Sequence, residues 1–107
     1  MPYAAKAQIE HEFDTDHLNI WITFRSPMKQ TVKPTDDLWL VKVDNVLMPV
    51  TSSAWQDIYT LLLTVPDILA LPTRVLVSYN GPNYLLRTTW KKQWEPWGYI
   101  YSKNSAA

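Results

Sequence analysis

Residues 10–17 form the one cluster in the sequence whose side chains could bind a metal ion. The segment holds both histidines and four carboxylates, and carboxylate oxygens and imidazole nitrogens are common ligands of divalent cations. In an extended segment the acidic residues 10, 12 and 14 share one face and His11 and Phe13 take the other, so the donors do not converge. The glycine of a calcium-binding loop is also missing. We therefore predict a solvated edge strand that ends in an Asp-Thr-Asp turn and holds no metal ion.

The residue patterns of common catalytic sites are missing from the sequence. There is no cysteine and no Gly-x-Ser-x-Gly motif, and both histidines belong to residues 10–17. Asp36 and Asp37 are adjacent, so they point apart if they lie on a strand and otherwise belong to a turn. Asp57 and Asp67 are likewise predicted to lie in turns. The sequence therefore offers no carboxylate pair for glycoside hydrolysis. The chain has only two glycines, and they are too far apart to form a phosphate-binding loop. The sequence predicts a protein that is not an enzyme and needs no cofactor.

Large aromatic side chains are the unusual feature of the composition. The 107 residues include six tryptophans and six tyrosines, and five of these rings fall in residues 90–101, interleaved with lysine and glutamine. Such rings, with basic residues around them, are typical anchors of protein–protein interfaces. They could also cap an open end of the fold, or stack on sugar rings or single-stranded nucleic acid.

Two further tryptophans are predicted to face outward from strands. Trp21 lies opposite the apolar residues 18, 20, 22 and 24, and Trp39 is placed with Val41 and Val43 opposite Leu38 and Leu40. A large ring on an outer face either covers the fold locally or docks on a partner. The candidate partner-binding residues are therefore Trp90, Trp94, Trp97, Tyr99, Tyr101, Trp21 and Trp39.

Charge and length limit the possible partners. Ten basic and ten acidic residues give zero formal net charge, which argues against nucleic acid and against an anionic membrane surface as partners. No apolar run approaches the roughly 18 residues of a membrane span. A chain of 107 residues has the length of one domain.

Short alternating segments separated by turns predict an all-β fold. Residues 18–24 have the period of two of a half-buried strand. Residues 38–43 and 46–50 flank Asp44-Asn45, which predicts a hairpin, and residues 73–79 are predicted to form a second hairpin with residues 84–87 through the turn at 80–83. Residues 53–65 fit either a helix or a strand; we favour a strand over 58–65, followed by one helical turn over 67–71. Six or seven strands at this spacing indicate an antiparallel β-sandwich or a small barrel.

Several of these segments resemble bacterial immunoglobulin-like domains. They are Trp-Ile-Thr-Phe-Arg-Ser-Pro-Met at 21–28, Val-Asp-Asn-Val at 43–46, Thr-Leu-Leu-Leu-Thr-Val-Pro at 60–66 and Arg-Val-Leu-Val-Ser-Tyr-Asn at 74–80. More closely, the chain resembles the short immunoglobulin-like proteins of tailed-phage virions, several of which continue into a tail similar to the Trp-Glu-Pro-Trp-Gly of residues 94–98. The resemblance covers roughly residues 18–100.

The resemblance implies an immunoglobulin-like antiparallel β-sandwich of about seven strands with extended N- and C-terminal segments. We expect an N-terminal arm over residues 1–12, the sandwich over 13–90 and an aromatic C-terminal segment over 91–107. The implied function is that of a virion structural protein made in the host cytoplasm, such as a capsid decoration, head-fibre, neck or tail component. It would be oligomeric in the assembly and contact other virion structural proteins. Alternatives are a carbohydrate-binding or adhesion module that uses exposed tryptophans, and a small enzyme subunit or accessory domain.

Overall fold

Strands arranged in two sheets make up nearly all of the regular structure in the computed structural model of the protein, which describes residues 8–25, 27–31, 33–81 and 97–104. The nine strands within these ranges are β1 (Gln8–Asp14), β2 (His17–Thr23), β3 (Trp39–Val43), β4 (Val46–Met48), β5 (Ser52–Trp55), β6 (Thr60–Val65), β7 (Val75–Tyr79), β8 (Trp97–Tyr101) and β9 (Lys103–Asn104). A 3-10 turn over Asp36–Leu38 precedes β3.

The two sheets face each other across one core, in the manner of a β-sandwich. The five-stranded sheet has the order β5-β6-β2-β1-β9, and the four-stranded sheet has the order β4-β3-β7-β8. Every pairing is antiparallel except that of β1 with β9, which is parallel. The all-β prediction is thereby confirmed, and the two-sheet arrangement agrees with a sandwich rather than a small barrel.

The inner face of the five-stranded sheet follows the alternation read from the sequence. In β2, Leu18, Ile20 and Ile22 are fully buried and the residues between them are partly exposed. The paired strand β6 repeats this pattern, and Ile20 lies opposite Leu63. Each such side chain stabilises the fold by about 1.5–3 kcal/mol through removal of its surface from water.

The inner face of β3 is the opposite of the predicted one. Trp39, Val41 and Val43 are buried, whereas Leu38 and Leu40 are partly exposed, so the prediction that Trp39 faces outward is wrong. Trp39 is only 2% exposed, and its ring packs 4.9 Å from that of Tyr79. The residues on either side of Trp39, Leu38 and Leu40, are apolar as well, so the prediction chose the wrong face; the pairing of Trp39, Val41 and Val43 with the buried residues of β7 fixes the inner one.

The two segments predicted with some helical character, residues 53–65 and 67–71, contain no helix. Residues 52–65 form the β5–β6 hairpin, so the predicted strand is confirmed and the alternative helix is wrong. The strand β6 begins at Thr60 rather than at residue 58, because the Asp57 carboxylate accepts the backbone N–H of Tyr59 in a turn. The helical turn predicted over 67–71 is also wrong. Asp67 has a φ of 61°, outside the right-handed helical region, and Ile68 donates its N–H to the backbone oxygen of Asp16.

The sheets extend beyond the predicted domain boundaries at both ends. Strand β1 begins at Gln8, within the predicted arm of residues 1–12, and β8 and β9 lie within the predicted segment 91–107. The predicted return strand at 84–87 lies outside the described residues. Within the described residues, β7 pairs with β3 and β8. Residues 8–12, 97–101 and 103–104, which the sequence assigns to the terminal segments, therefore lie in the sheets.

Candidate functional site

The structure separates the seven candidate partner-binding residues. Trp90 and Trp94 lie outside the described residues, and Trp97 begins β8, where its backbone pairs with Tyr79. Tyr99 and Tyr101 follow on the same strand. The remaining two candidates, Trp21 and Trp39, lie on the outer face of the five-stranded sheet and in the core, respectively. Among the candidates whose side chains the structure describes, Tyr99 and Tyr101 are the two that are exposed and close together.

Strand alternation turns both tyrosines of β8 outward. Ile100, between them, packs against the core, while Tyr99 is 38% exposed and Tyr101 is 66% exposed. A small sandwich usually buries its large rings in the core, whereas these two rings remain accessible to solvent. Their side chains are therefore available to a partner.

A row of outward-facing side chains, apolar except for Lys42, continues from Tyr101 across the four-stranded sheet. Tyr101 lies opposite Leu76 in β7, Leu76 opposite Lys42 in β3, and Lys42 opposite Leu47 in β4. Paired residues of neighbouring strands point to the same side, so all four side chains belong to the outer face. Leu47 is 58% exposed. We call this surface the tyrosine face; it consists of Tyr99, Tyr101, Leu76, Leu47, Lys42 and, beside Tyr101, Arg74.

A cation lies over each of the two exposed rings. The Lys42 Nζ atom is 4.5 Å from the centroid of the Tyr99 ring, and the guanidinium carbon of Arg74 is 5.6 Å from that of Tyr101. Such contacts contribute about 0.5–1 kcal/mol at exposed sites and restrain the orientation of the rings. Within the described residues, neither cation has a carboxylate at salt-bridge distance. The tyrosine face therefore combines apolar surface with positive charge.

The β3–β4 turn fixes the backbone at Arg74. Asp44 and Asn45 have φ values of 51° and 69°, the left-handed conformation of a two-residue hairpin, which confirms the predicted hairpin. One carboxylate oxygen of Asp44 accepts the backbone N–H groups of Thr73 and Arg74 at 2.9 and 2.8 Å. The Asp44 N–H donates in turn to the Arg74 oxygen. The short turn thus positions the backbone of Arg74, the tyrosine-face residue that directly precedes β7.

The outer face of the five-stranded sheet has a different chemistry. Glu10, Glu12 and Asp14 of β1 are exposed, and Trp21 lies between Glu10 and Leu62 in the strand register. These five residues define what we call the acidic face. Lys103 in β9 pairs with Glu10 through its backbone. Its side chain adds one positive charge at the border of the acidic face.

His11 points away from the acidic face, as the alternation predicted. Its ring is buried, its Nδ1 atom lies 2.7 Å from the Ser102 hydroxyl, and burial lowers the pKa of the imidazole. His17 lies instead near the carboxylates of Asp14 and Asp16. Among the described residues, no group of three or more histidine, cysteine or acidic side chains is arranged to bind a metal ion.

Sequence reasoning missed the basic and aliphatic part of the tyrosine face. Lys42 shares the face of Leu40, and a lysine in an apolar strand marks the outer side, so this residue could have oriented β3 correctly. The alternation of residues 74–79 already placed Arg74 and Leu76 on one side. The proximity of either residue to Tyr101 depends on long-range strand pairing.

Comparisons with known proteins give no assignment: no protein-family model matches the sequence, and no curated protein matches it. Within the described residues there is also no helix of the length and apolar character that crossing a bilayer requires. Chemically, the two outer faces can make apolar and ionic contacts.

Proposed function

We propose that the protein is a non-enzymatic structural component of a tailed-phage virion, with an immunoglobulin-like sandwich that docks on other virion proteins through the tyrosine face. The position would be that of a capsid decoration, head-fibre, neck or tail component. The observation that carries the proposal is the pair of exposed rings, Tyr99 and Tyr101, with Lys42 and Arg74 over them.

The two-sheet architecture supports the immunoglobulin-like part of the proposal. One core is shared by the inner faces of both sheets, and the sequence segments that resemble immunoglobulin-like phage proteins form parts of β2, β6 and β7 and the β3–β4 turn. The final strands pass from one sheet to the other at Ser102, whose N–H donates to Val75 of β7. This crossover links the two sheets through the backbone at the start of β7.

Rigid tyrosines suit a permanent contact in an assembly. A tyrosine has few rotatable bonds, so burial of its ring against a partner removes apolar area from water at a small cost in side-chain entropy. The nearby cations already restrain the rings, which reduces that cost further. We expect the aromatic residues 90–97 to extend the contact.

A carbohydrate-binding or adhesion module is the second candidate, and Trp21 is the observation that favours it. Its ring is partly exposed, and Glu10, a carboxylate that could accept hydrogen bonds from sugar hydroxyls, lies opposite it on β1. Trp39 no longer supports this candidate because it is buried. Quenching of tryptophan fluorescence by an oligosaccharide from a glycan array, and loss of the quenching in Trp21→Ala, would favour this candidate.

Co-expression with proteins encoded next to this chain tests the docking role. We expect the wild type to co-elute with a capsid, neck or tail protein in size-exclusion chromatography, and Y99A/Y101A to elute alone while keeping its β-sheet circular dichroism. Tyr59→Ala is the matched control, because Tyr59 is similarly exposed but lies in the β5–β6 turn. If Y99A/Y101A binds as tightly as the control, the proposed docking through these rings is wrong.

A further inference from the structure

We propose that the tyrosine face of one copy binds the acidic face of a second copy of this chain, so that copies associate head to tail. The inference rests on the proposed docking role of Tyr99 and Tyr101 and names a partner for them. It is carried by the complementary chemistry of two surfaces that belong to the same molecule.

The charges of the two faces are opposite. Lys42 and Arg74 on the tyrosine face are not neutralised by a carboxylate of the described residues. Glu10 and Glu12 on the acidic face are exposed, and within the described residues neither has a cation at salt-bridge distance, although Lys103 lies beside Glu10 in the strand register. Opposite charges that face each other across an interface steer association and fix its register.

The apolar parts of the two faces also match. On the tyrosine face, Leu76 and Tyr101 are neighbours flanked by cations. On the acidic face, Trp21 and Leu62 are neighbours in β2 and β6, flanked by the carboxylates of β1. An apolar centre with a charged border is the usual anatomy of a protein interface. Each face therefore provides what the other requires.

The position of the faces determines the kind of assembly. They are the outer surfaces of two different sheets, so a contact between two copies leaves one face of each copy available for another copy. Such a heterologous contact produces a ring or an open row rather than a closed pair. The zero formal net charge of the chain means that copies do not repel one another as they add.

Sedimentation velocity of the full chain with charge-reversed faces tests this inference. We expect the wild type to associate as its concentration rises to about 1 mM, where a contact with a millimolar Kd is substantially populated. Both K42E/R74E and E10K/E12K should weaken association at least about tenfold, because like charges then oppose each other. The variant that carries all four substitutions has both faces reversed and zero formal charge again, and it should associate as the wild type does.

Two controls separate the faces from general effects. R25E/K29E changes the net charge by as much as K42E/R74E at two exposed residues that follow β2, and it should associate as the wild type does. Because Arg74→Glu brings a second carboxylate towards Asp44, K42E/L47E replaces that variant if its circular dichroism shows unfolding. Salt at about 0.5 M should weaken the wild-type association.

Several results would overturn the inference. One is a wild type that stays monomeric at every concentration, even if it binds a poly-glutamate peptide. Another is a four-fold variant that is as monomeric as either double variant. If self-association fails while Y99A/Y101A still loses a virion partner, the head-to-tail contact is wrong and the proposed function stands. If Y99A/Y101A retains that partner, the proposed function fails independently of the charge reversals.

Discussion

Replacement of Asp44 by alanine should destabilise the protein by about 3 kcal/mol, although the side chain is exposed. Two backbone N–H groups, those of Thr73 and Arg74, donate to one carboxylate oxygen of Asp44. We count about 1 kcal/mol for each bond, the typical net contribution of a protein hydrogen bond, because exposure to water offsets the gain from the charged acceptor. A further contribution of about 1 kcal/mol comes from the φ of 51°, which alanine adopts only with strain.

Three variants at this position separate the two contributions. Asp44→Asn keeps an acceptor oxygen and tolerates the left-handed conformation, so we expect a loss below about 1 kcal/mol. Asp44→Gly adopts the conformation without strain but loses both hydrogen bonds, which gives an intermediate loss. Urea unfolding followed by circular dichroism measures the differences, and Asp44→Ala should lower Tm by more than about 10 °C.

The ranking of the variants decides whether the reasoning holds. A glycine variant as stable as the wild type would show that the hydrogen bonds of Asp44 contribute nothing. Equal stabilities of the glycine and alanine variants would instead refute the strain argument. Since Asp44 holds the backbone at Arg74, the alanine variant should also weaken any binding through the tyrosine face.

Three other changes test the packing and the buried histidine. Gly81→Ala should cost about 1–3 kcal/mol in a urea melt, because the added Cβ would lie 2.7 Å from ring carbons of the buried Tyr79. Leu63→Ala should cost about 2–5 kcal/mol through the cavity that it leaves in the core, and an unchanged Tm would contradict its burial. Burial lowers the pKa of His11 below 6.5, so its contribution to stability is complete above that pH and is lost as the pH falls through the lowered folded-state pKa. His11→Gln, which can still bond to Ser102, should show a smaller loss of stability between pH 7 and pH 5; an equal loss would assign the pH dependence to other groups.

Local patterns predicted the strands whose two faces differ in polarity. In β2, polar Asn19 alternates with apolar residues, so both the strand and its inner face followed from the sequence. The Asp44-Asn45 hairpin was likewise predictable, because these residue types tolerate the left-handed conformation that the turn requires. In each case the local residue pattern was sufficient to predict the structure.

The errors arose where long-range pairing decides the structure. In β3 the apolar Leu40 lies on the face opposite Trp39, so Lys42 is the one local sign of the outer face, and the register with β7 places Trp39 in the core. The helical pattern of residues 67–71 is overridden by the bond between Ile68 and Asp16, which ties the loop to the β1–β2 turn. The tyrosine face was not predictable locally, because its cations, Lys42 and Arg74, lie far in sequence from the rings of Tyr99 and Tyr101.

The parallel pairing of β1 with β9 has a mechanical consequence. Glu10 pairs with Lys103 and His11 with Asn104, so the first and last described strands run in the same direction side by side. Tension applied between the two ends of the chain would therefore pull these strands past each other along their length. In this shear geometry the hydrogen bonds between the strands bear the load together, whereas an antiparallel terminal pair would be peeled apart one bond at a time.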